Sequence, residues 1–319
     1  MNMRIPFGLD EAPLGRELLR RATSPSPGIG QAPAGDAARG HVVVDSLKVE
    51  FGGPRDGTVA VDGVSIDVKP GEFVSIIGPS GCGKSTVLNV IAGFTPASAG
   101  RVAVDGKAIE GPGIDRGVVF QQYSLFPWLT VRKNVEFGLK TQGMPRAQRE
   151  TVARTFLGLA GLLAFENHYP DQLSGGMKQR VGIVRALVTS PQVLLMDEPF
   201  GALDAQTRVV MQEILTNMWQ RQRISVLFVT HDIDEAIFLS DRVYVMTARP
   251  GRIKAELVMP LARPRLPEMS SSSAFQAVRQ ELQRLIREES LKSMGAEIHG
   301  DGLQGLSMDL GADGPRDKL

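Results

Sequence analysis

The chain has 319 residues, 42% of them hydrophobic, which is enough to bury one large core or two small ones and excludes disorder of the whole. Its 36 Lys and Arg against 35 Asp and Glu leave a net charge of +1, so no broad basic field exists to attract a nucleic-acid backbone. The single cysteine, Cys82, excludes an intrachain disulfide and fits a reducing compartment.

Residues 22 to 39, ATSPSPGIGQAPAGDAAR, are dominated by Ala, Pro, Gly and Ser, which bury too little surface to offset chain entropy. Residues 1–40 are therefore predicted to form a disordered N-terminal extension. Pro6, Asp10 and Glu11 stand where a secretory signal would need an unbroken apolar stretch. The apolar runs further on are strand-sized, against the about 20 residues of a membrane helix. The expectation is a cytoplasmic chain whose membrane role, if any, comes through a partner.

Val42-Val43-Val44 begins the first predicted strand, and Val64 to Val68 alternates apolar and polar residues as a half-buried antiparallel strand should. From Glu72 the pattern changes to short, nearly continuous apolar runs: Phe73 to Ile77, Val118 to Phe120, Val193 to Met196, Val226 to Val229 and Val243 to Met246. Such runs suit strands buried on both faces of a mainly parallel sheet, which predicts an α/β core. Residues 122 to 190 read as a helical insertion, with Val181, Val184 and Val188 spaced by three and four. Beyond Pro250-Gly251, prolines 260, 264 and 267 interrupt regular structure. One more helix is expected, capped by Ser273 with Gln276 and carrying Phe275, Val278, Leu282 and Leu285 on one face. The Gly- and Asp-rich sequence from about residue 295 predicts a poorly ordered tail, so that residues 41–252 form the main domain and 253–319 a C-terminal extension.

The first chemical signal lies directly after the strand Phe73 to Ile77. Gly78-Pro79-Ser80-Gly81-Cys82-Gly83-Lys84-Ser85-Thr86 has the P-loop spacing of two glycines, lysine and hydroxyl. Its glycines let backbone N–H groups turn inward around phosphate oxygens, and the helix starting near Lys84 points its positive end at them. Lys84 should reach the β and γ phosphates, and Ser85 should ligand Mg²⁺. A P-loop alone leaves kinases, GTPases, helicases and transport ATPases open. The buried run Val193 to Met196 ending at Asp197 is a Walker B arrangement, in which Asp197 holds Mg²⁺ directly or through water. Glu198 follows at the strand's carboxyl end, where it would orient and deprotonate an attacking water.

Leu173-Ser174-Gly175-Gly176-Met177-Lys178-Gln179-Arg180 resembles the signature sequence of the ABC ATPase family. Ser174 is a good N-cap, and the two glycines expose N–H groups at a helix start that can hold an anion. The likeness runs from about Val42 to about Arg252, with Met177 where Gln is common and Gly201 where Ser is common. It implies a P-loop, RecA-like ATPase core with an antiparallel β subdomain and a helical subdomain carrying the signature. It implies ATP and Mg²⁺ as ligands, and two chains that share each site: the P-loop, Walker B and His231 of one, and Ser174 to Gly176 of the other. Phe51 looks like the aromatic that stacks on adenine, although a buried strand-end Phe reads the same. Gln121 looks like the Q-loop glutamine that contacts Mg²⁺ or water, His231 like the switch histidine that donates to the γ phosphate, and Gly201-Ala202-Leu203-Asp204 like the D-loop at the dimer interface. Asp204 equally suits a plain N-cap.

The segment from Tyr123 to Val131 places Phe126 and Trp128 on a stretch that should leave the core and looks like the surface that docks a permease. Packing of the helical insertion is the other reading of those rings. Phe126 to Val131 together with Arg249-Pro250-Gly251-Arg252-Ile253 is most similar to importers for nitrate, sulfonates and taurine. That resemblance implies a peripheral subunit at the cytoplasmic face of the bacterial inner membrane. Its partners would be an identical ATPase subunit, an integral permease and, indirectly, a periplasmic solute-binding protein, without nucleic acid. The alternative is a soluble ABC ATPase acting on nucleic acid or ribosomes, against which stand the near-neutral charge and the absence of tandem ATPase domains or a heptad insertion.

Overall fold

The computed structural model describes residues 39–52 and 57–300. Most of the expected N-terminal extension, and residues 301–319 of the expected tail, lie outside the described residues.

Strands β1 (Val42–Phe51) and β2 (Thr58–Val68) pair antiparallel, β4 (Ala99–Val104) pairs with the other edge of β1, and β5 (Lys107–Ala108) completes a four-stranded sheet ordered β2-β1-β4-β5. The β4–β5 hairpin turns through Asp105 and Gly106, with φ of 49° and 76°. Asp-Gly is the pair that tolerates positive φ at both central positions of a two-residue turn.

The second sheet has six strands in the order β10-β9-β3-β8-β7-β6. These are β3 (Phe73–Ile77), β6 (Arg116–Val119), β7 (Val193–Asp197), β8 (Ser225–Val229), β9 (Arg242–Met246) and β10 (Ile253–Val258). All neighbours are parallel except β10, which pairs antiparallel with β9. β10 belongs to this sheet, so a boundary at residue 252 falls between two paired strands.

The strands read as continuous apolar runs because both faces are covered. Leu194 and Met196 of β7 point into one core with Phe73, Phe228 and Trp219, whereas Val193 and Leu195 point into another with Val74, Ile76 and the β1–β2 sheet. The first core is closed by α2 (Val131–Thr141), α3 (Arg146–Leu159), α4 (Gly175–Leu187) and α5 (Ala205–Gln222); the second packs on α1 (Lys84–Ala92). Three of those helices lie within residues 122–190. A third core joins α6 (Ile233–Leu239) and β9 to Phe275, Leu282 and Leu285 of α7 (Ser273–Gly300).

The cap of α7 differs from the expected pair. The Ser272 hydroxyl accepts the Phe275 N–H at 3.2 Å, and the Gln276 amide turns outward to the Ser270 carbonyl at 2.8 Å. The helix starts at Ser273, so Ser272 occupies the position where a side-chain oxygen can reach a free N–H of the first turn. The helix also continues through Gly300, past the change of composition near residue 295.

Candidate active site

Four adjacent parallel strands, β3, β8, β7 and β6, end at one edge of the sheet, and each is followed by a residue singled out in the sequence. The carboxyl edge of a parallel sheet is where such folds place their ligands. The loop after β3 turns through Gly81 and Gly83, with φ of 72° and 99°, values that carry little cost only for glycine. α1 begins at Lys84 directly behind Gly83, so its free N–H groups open into the turn.

A cavity of about 480 Å³ is lined by Ser80, Gly81, Gly83, Lys84, Ser85 and Thr86 together with Phe51, Gln121 and Glu198. Gly78, Pro79 and Cys82 form the back of the loop. The buried Lys84 ammonium donates to the Gly78 and Pro79 carbonyls at 2.9 and 2.8 Å, which fixes it at the loop's inner rim. The Phe51 ring is 49% exposed and faces the cavity, so it is not the buried strand-end residue that the sequence also allowed.

The Cys82 side chain turns away from the loop. It is 1% exposed and packs in the second core, so only the Cys82 backbone belongs to the phosphate loop. Burial pushes its thiol above the ordinary range, and Lys84 nearby only partly opposes this.

Asp197 ends β7 close enough to Ser85 for that hydroxyl to act on its carboxyl. Burial raises its carboxyl above the usual range, the Ser85 hydroxyl pulls it back, the Glu198 charge pushes it up again and Lys84 lowers it. Glu198 adopts φ of 46°, uncommon for a residue with a Cβ, and its N–H donates to the Val229 carbonyl at 2.9 Å. That turn brings its carboxylate to the cavity wall. Oε2 of Glu198 lies 3.4 Å from the Gln121 amide nitrogen and 3.1 Å from Nδ1 of His231, so His231 reaches the cavity through this carboxylate.

The signature and D-loop residues are elsewhere. Ser174 caps α4, its hydroxyl accepting the Met177 N–H at 3.4 Å; a Cβ on Gly175 would meet the Tyr123 hydroxyl at 2.8 Å. Gly176 lies near the Ala202 carbonyl and Leu203. Asp204 caps α5 by accepting the Thr207 N–H at 3.0 Å and its hydroxyl at 2.7 Å, contacts that hold its carboxyl below the usual range. None of Ser174, Gly175, Gly176 and Asp204 lines the cavity of its own chain.

Three cavity residues are not assigned to the site from the sequence: Thr58 and Ala60 on β2, and Arg249 beyond β9, which reads there only as part of a family-like string. The signal for Arg249 was available, since Val243 to Met246 read as one more parallel strand and its carboxyl end had to reach the same edge.

Comparison with known proteins identifies the family. The family described as ABC transporter matches residues 61–201. An uncharacterised ABC transporter ATP-binding protein of Methanocaldococcus jannaschii is 50% identical over 245 residues, covering 77% of this chain and 90% of the relative. A nitrate import ATP-binding protein of Synechocystis is 52% identical over 221 residues, 69% of this chain and 83% of the relative. A taurine import ATP-binding protein of Rhizobium johnstonii is 48% identical over 258 residues, 78% of this chain and 98% of the relative. Among solved structures, the dimer of an ATP-binding cassette in a post-hydrolysis state bound to ADP and Pi is 34% identical with a TM-score of 0.64, covering 69% of this chain and 100% of that one. With its P-loop, Walker B strand and signature helix on one α/β scaffold, the chain belongs to the ATP-binding proteins of the ABC transporter family.

Proposed function

We propose that this chain is the nucleotide-binding subunit of an importer, hydrolysing MgATP to move nitrate, a sulfonate, taurine or a similar small anion across the cytoplasmic membrane. The observation that carries the ATPase reading is the Glu198 carboxylate, held at the cavity wall between Gln121 and His231 in the cavity that the phosphate loop lines. A carboxylate in that place can orient a water and accept its proton. Lys84 and the N–H groups of the glycine turn would hold the phosphates, and Phe51 would stack on the base.

The donor set also fits Mg²⁺. The Ser85 hydroxyl acts on the Asp197 carboxyl, Ser85 and Gln121 line the same cavity, and all three are oxygen donors suited to a hard cation shared with substrate phosphates. When bound, the cation would neutralise charge on the phosphates. His231 would hold Glu198 in place and present its ring toward the γ phosphate.

Ser174 to Gly176 open a helix N-terminus that takes no part in the cavity of their own chain, which supports their use by a second, identical chain. Asp204, on the adjoining turn, would lie along the same interface. Among the described residues no helix is long and apolar enough to cross a membrane. Trp128 is 70% exposed, with its ring beside Phe126, and Phe137 is also exposed, which supports a permease docking there. The subunit would thus sit peripherally at the cytoplasmic face of the bacterial inner membrane and meet a periplasmic solute-binding protein only through the permease.

Phosphate release from MgATP by the purified chain tests the catalytic reading, with Lys84→Ala as the variant that should lose nucleotide binding. Detergent co-purification tests the transport reading: a permease supports it, whereas ribosomes or DNA would favour the soluble alternative.

A further inference from the structure

The turn after β9 plays no part in the assignment above, yet it lies against the phosphate loop. Because β9 runs parallel to β3 and beside it, its carboxyl end delivers residues 247 to 251 to the same edge of the sheet. The Gly251 N–H donates to the Ala60 carbonyl at 2.9 Å, and the Asp62 N–H donates to the Gly251 carbonyl at 2.9 Å, which ties the turn to β2. A Cβ at Gly251 would strike the Cys82 carbonyl, so only glycine lets the chain approach the loop this closely.

That approach places the Arg249 guanidinium at the cavity. Nε and Nη2 both donate to the Gly81 carbonyl, at 3.3 and 3.2 Å, and the side chain lines the cavity with Phe51, Lys84 and Ser85. Arginine carries five N–H donors, so one shared carbonyl leaves most of them available. Among the described residues Arg249 has no carboxylate partner. A cation aimed into a phosphate-binding cavity and left without an anion is suited to the nucleotide itself.

The far side of the turn is held from the C-terminal helix. Glu289 of α7, 2% exposed, accepts the Ala248 N–H at 3.2 Å and the ammonium groups of Lys254 and Lys292 at 2.8 and 2.7 Å. Burial alone would raise its carboxyl, but these three donors outweigh it and hold the group at about 2, so it stays ionised at any working pH. Ala248 is the residue next to Arg249.

We propose that Arg249 contacts the phosphates of bound nucleotide, and that Glu289 is the positioning residue through which the C-terminal helix keeps Arg249 over the loop. The C-terminal helix would thereby set nucleotide affinity without touching the nucleotide. This rests on the nucleotide-site reading above.

The test is a fluorescence titration of the full chain with the magnesium complex of a fluorescent N-methylanthraniloyl ATP, beside a thermal melt of each variant. Arg249→Ala should raise Kd about 10-fold, the scale of one charge-assisted hydrogen bond, at an unchanged melting temperature, and Arg249→Lys should recover part of the loss. Glu289→Ala should raise Kd about 3-fold in the wild-type background and have no further effect in Arg249→Ala, as expected of two residues acting in series. An unchanged Kd for Arg249→Ala overturns the proposal. A Glu289→Ala effect that is absent, or of equal size in both backgrounds, overturns the positioning role. A wild-type chain that does not bind the probe at all would instead overturn the nucleotide-site reading on which the proposal stands.

Discussion

Nδ1 of His231 lies 3.1 Å from Oε2 of Glu198, the same oxygen that faces the Gln121 amide at 3.4 Å. Loops from three parallel strands therefore meet at one carboxylate, and the proposed base is oriented by both neighbours. His231→Ala should leave Glu198 with Gln121 alone and lower the turnover number by about 10²-fold, with MgATP affinity little changed. Steady-state hydrolysis together with equilibrium binding checks this. An unaltered turnover number would remove His231 from the reaction.

Glu235 lies four residues beyond His231 in the chain. It is 7% exposed, accepts the Thr230 hydroxyl at 2.8 Å and lies 3.6 Å from Nε of Arg208. Burial raises its carboxyl to about 7, with Asp232 adding to the rise and Thr230, Arg208 and His231 opposing it. Because the folded value lies above the unfolded one, the native state holds the extra proton between about pH 4.5 and 7, and stability falls as pH rises through that window. Glu235→Gln removes the titration while keeping an acceptor for Thr230. Urea denaturation at pH 5 and pH 8 should show the variant losing less stability on going to pH 8 than wild type, by a difference on the order of 3 kcal/mol at most. Parallel pH profiles would contradict this.

Cys82 should resist alkylation in the native chain, because the thiol is buried and its ionisation is disfavoured. Labelling with iodoacetamide should be at least about 10-fold slower than in urea-unfolded protein. Rapid stoichiometric labelling of the folded chain would mean that the sulfur faces the cavity after all.

Trp128 is exposed while its neighbour Phe126 packs against Phe137, with ring centroids 4.5 Å apart, and under the Arg185 guanidinium at 5.4 Å. The two aromatics of that segment thus divide between the two readings the sequence allowed. Trp128→Ala should spare melting temperature and nucleotide affinity, yet weaken assembly with a permease by about 2 kcal/mol, the scale of an interface anchor. A destabilised isolated subunit with unchanged assembly would return Trp128 to a packing role.

Much of this architecture is legible in the chain because burial leaves a pattern. β3, β7 and β8 read as strands since every residue from Phe73 to Ile77 and from Ser225 to Val229 is buried, and a two-faced sheet admits no polar alternation there. The P-loop is legible because its chemistry demands particular residues at particular positions. The β4–β5 hairpin escaped notice although Asp105-Gly106 marks its turn, because its strands are short and β5 is exposed. The direction of the Cys82 side chain has no periodic signal, since irregular loops have no repeating face. Arg249 could be placed at the carboxyl edge from the sequence, but its approach to the phosphate loop could not, because that depends on β9 being the neighbour of β3, and strand order is a tertiary property.

The most direct test of the central claim is Glu198→Gln, since Asp197 and Lys84 are assigned to binding and Glu198 alone to activating water. The substitution keeps the hydrogen-bonding shape at the cavity wall but removes the basic carboxylate, so hydrolysis should fall by about 10²- to 10⁴-fold while MgATP still binds. With ATP trapped, Ser174 to Gly176 of a second chain should close over it. Size-exclusion chromatography of Glu198→Gln should then show a dimer with MgATP and a monomer without it, whereas Lys84→Ala should remain monomeric in both. Hydrolysis by Glu198→Gln at near the wild-type rate would contradict the assignment of the base, and a variant that binds MgATP yet stays monomeric would contradict the shared site.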